Sequence, residues 1–333
     1  MSTDDYTKDI IRNLLAVVLG LMLSKYTTYN FNFEIPIIAL NVVSTMPKFS
    51  IKDFIKKNWW LVAATALGVI VAQTFEEKFL LYYIFTFGIF FSCFYITDKN
   101  PMASANIVLG YSFTTVYATY NRLNMKIMVY DIFRVTILGG ILGFLILILI
   151  PKIKKEKEII ENKPKEITQK NVGAIFLVTT IVFITWTFYV MFDIKDTFFA
   201  YATLAGIYGN INIDKIHKLT PLNIGVHITG CFLATLYSFL IVGISKFFLL
   251  FALSLSILFF PMVYFKYYGD SQIKKSIAGG LIGATIMPLS LYLTPFGDIT
   301  SKAGARALQI TIMLLISLVI TRLLTILGGE KIE

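Results

Sequence analysis

Cysteine and histidine are nearly absent from this chain. Its 333 residues include two of each. Cys93 and Cys231 both lie in apolar runs. They make neither a disulfide framework nor a metal site, and read as small buried packing residues. Charge is also scarce, at 15% of residues against 56% hydrophobic. Long hydrophilic stretches are missing except for Pro151 to Lys170, which holds seven lysines and four glutamates. The sequence has no phosphate-binding loop ending in lysine-serine or lysine-threonine, no His-Glu zinc motif and no Gly-x-Ser-x-Gly elbow. Gly139-Gly140-x-x-Gly143 and Gly279-Gly280-x-x-Gly283 lie in apolar surroundings, where close helix packing explains them. No cofactor, no metal and no enzymatic activity are expected. The N-terminus, MSTDDYTKDIIRN, lacks a basic region and a small-residue cleavage site before Lys25. Its first apolar run is therefore expected to be retained as a helix.

What is abundant is apolar sequence, with a mean hydropathy of +0.73. Runs near the spanning length of about 20 residues recur throughout. Period-two alternation is missing, so a membrane β-barrel is excluded and helices are expected. Twelve spans fit. The first six are 10–29, 34–47, 58–75, 79–96, 102–120 and 131–151. The second six are 172–192, 197–211, 219–242, 246–266, 275–294 and 304–325. The segments 34–47 and 197–211 are shorter than a normal span, and Pro36 and Pro47 bracket the first. A broken or re-entrant segment is tolerated only where protein or a water-filled cavity covers its backbone.

The net charge of +10 does not point to nucleic acid, because the basic residues sit in short loops between apolar runs. With the N-terminus inside, most of the 30 Lys and Arg fall on the inner side, among them Lys48, Lys52, Lys56, Lys57, Lys215, Lys218, Lys274 and Lys275. That bias predicts an even span number, both termini cytoplasmic, and a plasma (bacterial inner) membrane location.

A feature order occurs twice, at Glu34–Ala72 and at Asp196–Ala234. Each copy opens with an acid and a short apolar run. A basic turn follows, Ile51, Phe54, Lys56 against Ile213, Ile216, Lys218. A longer apolar run then carries Gly68 and Ala72, or Gly230 and Ala234. The expected fold is an all-α integral membrane protein of about 12 transmembrane helices, arranged as two parallel six-helix repeats. Residues 1–151 form the first half, 152–171 a cytoplasmic charged linker and 172–333 the second half. Repeats of this kind place binding sites near their interface in transporters.

Charges within spans are costly, so their placement is informative. Glu34, Arg134, Asp196 and Arg306 all fall near the outer ends of their spans. They read either as two ion pairs, Glu34 with Arg134 and Asp196 with Arg306, or as a charged outer gate offering forked donors to a carboxylate. Polar positions at helical spacing include Asn41, Asn106, Tyr201, Thr203 and His227. These either hydrogen-bond neighbouring helices or line a polar path. His227, inside a span, is a candidate proton relay, with a hydrogen-bonded structural role as the alternative.

The duplicated cassette, with its basic turns at Lys48–Lys57 and Asn210–Lys218 and its glycine-bearing helices around Gly68 and Gly230, resembles the fusaric acid resistance and aromatic acid exporter superfamily. An arginine opening each sixth span, Arg134 or Arg306, adds to the likeness. The arginine and the first glycine of that family's third-span pattern are replaced here by Lys57 or Lys218 and by Ala64 or Val226. The resemblance implies efflux of small organic anions such as aromatic carboxylates, coupled to protons, from an inner membrane transporter. It also implies a periplasmic adaptor protein as a partner; membrane lipid and a second copy of the chain in a homo-oligomer are separately expected partners. An anion channel on the same scaffold, or a non-transporting assembly subunit, is the alternative.

Overall fold

The computed structural model describes residues 3–29, 31–46, 48–75, 77–97, 101–120, 125–151, 172–191, 213–241 and 247–292, with four isolated positions beyond them. Among the described residues ten helices form and no strand does. They are α1 (Thr3–Tyr26), α2 (Glu34–Thr45), α3 (Ile51–Thr74), α4 (Phe79–Thr97) and α5 (Pro101–Tyr120). Then come α6 (Met125–Leu149), α7 (Val172–Met191), α8 (Ile213–Ile241), α9 (Phe248–Tyr268) and α10 (Gln272–Tyr292). Each coincides with an expected span. The expected spans 197–211 and 304–325 lie outside the described residues, apart from the isolated helical positions Ile312, Leu315, Val319 and Arg322.

Six segments are long and apolar enough to cross a membrane: 51–74, 79–97, 127–149, 172–191, 221–241 and 248–268. Their outward residues are apolar as well. Leu80, Ile84, Ile141, Phe144, Leu253 and Ile257 are all exposed, as expected of side chains solvated by lipid. α2 has only 12 residues. It is therefore about 18 Å long at 1.5 Å per residue, too short for a hydrocarbon core of about 30 Å. It lies against both α1 and α6, which cover its backbone.

One sequence expectation is corrected. The basic stretch around Lys52–Lys57 is not a turn but the opening of α3. Ser50 caps that helix, its Oγ accepting from the Asp53 backbone N–H at 3.3 Å. A serine cap followed by an acid three residues later supplies helix-start chemistry. Hydropathy, which responds only to the apolar part, registers the helix from Asn58. Lys215 and Lys218 likewise fall within α8.

Glycine allows the closest helix crossings. A Cβ on Gly68 would lie 2.9 Å from Thr114 Cβ, and one on Gly110 would lie 2.7 Å from the Leu61 carbonyl oxygen. These two glycines join α3 to α5, which run parallel. At the α8–α10 crossing, a Cβ on Gly230 would meet Ala284 Cβ at 2.7 Å and one on Gly280 would meet Val226 at 3.3 Å. Gly20 on α1 makes room for Pro36 on α2, and Gly139 and Gly143 on α6 make room for Ile38 and Val42. The expected packing role holds for these glycines. Gly279 and Gly283 meet nothing within 4 Å.

Apolar burial divides into two main cores. One gathers side chains of α3, α4, α5 and α7, including Phe90, Tyr111, Val182 and Trp186. The other gathers α1, α8, α9 and α10, including Val17, Leu21, Leu255, Phe259 and Ile286. A smaller cluster joins α1, α2 and α6 through Ala39, Val43 and Ile146. Thus α7 lies on α4, and α1 lies on α9.

Helix directions follow from contacts along each seam. α1 and α9 are antiparallel: Asn13 meets Lys266 at one end, and Lys25 lies 4.3 Å over the Phe251 ring at the other. α4 and α7 are antiparallel too, with Phe87 near Phe176 and Tyr83 near Trp186. α7 and α8 both run in the direction of α1. The chain therefore arrives at Ile213 on the side from which α7 starts.

Candidate functional site

The start of α1 and the ends of α2, α6 and α9 meet on one face of the bundle. There they bury a polar cluster where apolar packing would be expected. Asp9, Arg12 and Asn13 recur at i, i+3 and i+4 of α1, so all three project from one side of that helix. Relative exposures are 6%, 1% and 1%. Arg12 forms an ion pair with Asp9. Its Nη1 donates to the Ile150 carbonyl at 3.3 Å, which tethers the end of α6. Its buried Nε has no hydrogen-bond partner among the described residues.

Asn13 uses its whole amide. Nδ2 donates to the Asp9 carbonyl at 2.7 Å and to the Tyr267 hydroxyl at 2.6 Å. Oδ1 accepts from Ser44 Oγ at 2.7 Å and from Lys266 Nζ at 3.2 Å. Lys266 Nζ also donates to Ser44 Oγ at 3.3 Å. The amide group has two donors and two acceptor sites, so the cluster is saturated around Asn13. With one carboxylate and two cations, the formal charge of Asp9, Arg12 and Lys266 together is positive. Such a cluster, held apart from lipid by four helices, suits a carboxylate or similar anion.

Asp9, Arg12, Asn13, Lys266 and Tyr267 are not among the residues that the sequence singles out. Asp9 and Arg12 read as part of a hydrophilic N-terminal segment, and Lys266 as a topology charge. The available signal was helical: an acid and an arginine three apart, immediately before an apolar run.

The expected site residues are dispersed. Glu34 opens α2 and is buried, at the end of the bundle away from the cluster. Arg134 does not pair with it. The arginine is exposed and its ion-pair partner among the described residues is Asp131, one turn back on α6, at 3.8 Å. Its guanidinium lies 5.8 Å from the Tyr29 ring centroid. Helical geometry explains the preference, because side chains three apart on one helix are already neighbours. Asn41 is half-buried, and its carbonyl accepts from Thr45 Oγ1 at 2.6 Å. Thr45 Oγ1 in turn accepts from Lys57 Nζ at 2.8 Å. Asn106 is half-buried on α5. His227 Nδ1 lies 2.8 Å from the carbonyl oxygen of Asn223 on its own helix, the hydrogen-bonded arrangement expected as the alternative to a relay. Asp196, Tyr201, Thr203 and Arg306 lie outside the described residues.

A second buried polar group holds α4, α5 and α7 together. Thr86 Oγ1 and the Tyr111 hydroxyl share a hydrogen bond of 2.9 Å. Trp186 Nε1 donates to Thr115 Oγ1 at 2.9 Å, and the Tyr82 hydroxyl donates to the Thr115 carbonyl at 3.3 Å. It carries no formal charge and reads as helix-to-helix bonding. Cys93 and Cys231 are free thiols, and both are buried. Comparison with protein-family models, with curated proteins and with solved structures returns no match to this chain.

Proposed function

We propose that this protein is a membrane transporter of small organic anions, built as two parallel six-helix halves. The cluster of buried Asp9, Arg12 and Asn13 with half-buried Lys266 forms the inner end of its path. The observation that carries the reading is the seam between α1 and α9. It joins the two halves, and it holds two cations, Lys266 bonded to Asn13 and Arg12 paired with Asp9. Ionisable groups inside a membrane bundle mark substrate or ion pathways by default, and repeat interfaces are where transporters bind.

The repeat is supported by reciprocal packing. α1, at the first expected span, lies on α9, at the tenth, and α7, at the seventh, lies on α4, at the fourth. α3 and α5 cross at glycine, and so do α8 and α10, at the third and fifth expected spans of each half. The charge bias puts the cluster on the cytoplasmic side, where an exporter loads. Glu34, Arg134, Asp196 and Arg306 are assigned to the outer end. The aromatic acid exporter resemblance supplies the substrate class, the proton coupling and the periplasmic adaptor as working expectations.

The test is accumulation of 4-hydroxybenzoate in inverted membrane vesicles, with and without an imposed pH gradient. Gradient-driven accumulation is expected, with a drop of tenfold or more in Lys266→Gln and in the paired Asp9→Asn/Arg12→Gln variant. Unchanged accumulation in both variants removes the cluster from the path. Current that follows the anion gradient and ignores the pH gradient identifies a channel on the same scaffold.

A further inference from the structure

A groove of about 450 Å³ lies between α3 and α4, with α5 behind it. Trp60, Ala63 and Leu67 form its α3 wall, and Gly88, Ser92 and Ile96 its α4 wall. The buried Cys93 and Ile107 close its floor. The gap exists because α4 presents glycine and serine one turn apart. A Cβ on Gly88 would meet nothing within 4 Å. Leu67, Ile84, Phe85, Gly88, Ser92 and Ile96 are all exposed, so the groove opens sideways. Both helices are long and apolar enough to cross a membrane, so that sideways opening faces lipid.

The α3 wall continues beyond the groove as a charged stripe. Lys52, Lys56, Trp60, Ala63 and Leu67 follow one helix face at spacings of three and four. Lys56 and Lys52 are exposed, one and two turns before Trp60. From Lys56 to Leu67 the helix rises about 16 Å at 1.5 Å per residue. One leaflet's share of a hydrocarbon core of about 30 Å is close to that length. A tryptophan at the mouth matches the aromatic level of a membrane interface. Lysines just outside that level meet headgroup phosphates and are drawn to an anionic surface.

We propose that this groove is a binding site for an anionic phospholipid. One acyl chain lies along Ala63, Leu67 and Gly88, and the headgroup phosphate rests on Lys52 and Lys56. The site is separate from the polar cluster and does not depend on the transport reading.

Native mass spectrometry of the purified full chain in neutral detergent tests it. Palmitoyl-oleoyl phosphatidylglycerol and the phosphatidylcholine with the same chains are titrated in parallel. The wild type is expected to retain one phosphatidylglycerol at least tenfold more strongly than phosphatidylcholine. Lys52→Gln/Lys56→Gln should bring the two lipids level. Filling the groove with Gly88→Phe should remove the retained lipid of either kind, and Ser92→Leu provides the same test where the bulkier change impairs folding. Equal retention of both lipids by the wild type overturns the proposal. So does retention that survives filling of the groove, or a dimer that forms through it and is lost in the filled variant.

Discussion

Lys266 Nζ donates to Asn13 Oδ1 across 3.2 Å, although 253 residues separate them. The bond fixes the end of α9 against the start of α1. Removing either partner costs the other one bond while it keeps its bond to Ser44, a loss of about 1.5–3 kcal/mol for a hydrogen bond to a charged group. Asn13→Ala and Lys266→Met should each lower the melting temperature in detergent. The double variant should be more stable than additivity predicts, with a coupling of about 0.5–3 kcal/mol. A strictly additive cycle would mean that the pair contributes nothing jointly.

The glycine crossings give a contrast between positions of the same residue type. Gly110→Ala and Gly230→Ala place a Cβ where a neighbouring atom already stands at 2.7 Å. Overpacking of this kind costs about 1–3 kcal/mol. Gly225→Ala and Gly279→Ala meet open space, and should be neutral or gain up to about 1 kcal/mol in helix propensity. Thermal unfolding of the four variants decides it. Uniform losses at all four would contradict the crossings.

Trp186 anchors α7 to α4 and α5. It is fully buried and donates to Thr115. Trp186→Phe removes the bond but keeps an aromatic ring among Tyr82, Tyr83, Phe90 and Phe183. A loss of about 1 kcal/mol is expected. Trp186→Ala should cost about 3–5 kcal/mol, since a cavity then remains. Equal effects of the two substitutions would argue against packing as the main contribution of this residue.

Helix direction can be read by chemical labelling. Cys93 and Cys231 are buried and should stay unlabelled by a polar maleimide in the folded protein. Cysteines introduced at Lys52 and Lys274 should be labelled from the face on which α1 starts. Those introduced at Lys78 and Phe247 should be labelled from the opposite face. Labelling of position 274 from the same side as position 78 would overturn the direction assigned to α9 and α10.

The helical class, and the apolar body of each described helix, were legible in the sequence. In lipid every backbone polar group must be bonded within the helix, so a long apolar run has one outcome. Close packing at the Gly139, Gly140 and Gly143 motif was legible too, and Gly139 and Gly143 do make room for Ile38 and Val42. Helix starts were less legible. At Ser50 a cap extends α3 through three lysines that hydropathy counts as loop.

Pairing was not legible at all. The sequence offered Glu34 with Arg134, two charges at one depth. The structure instead joins Arg134 to Asp131, and brings Asp9, Arg12 and Asn13 to Lys266 and Tyr267. Depth follows from position along a span, and each span fixes its own. Which helix stands beside which follows from side-chain fit across the whole bundle: glycine meeting bulk at the α3–α5 and α8–α10 crossings, and α1 seated on α9. The apolar pattern determined that these helices form and how deep each residue lies. Only tertiary packing decided which of the few charged groups share a site.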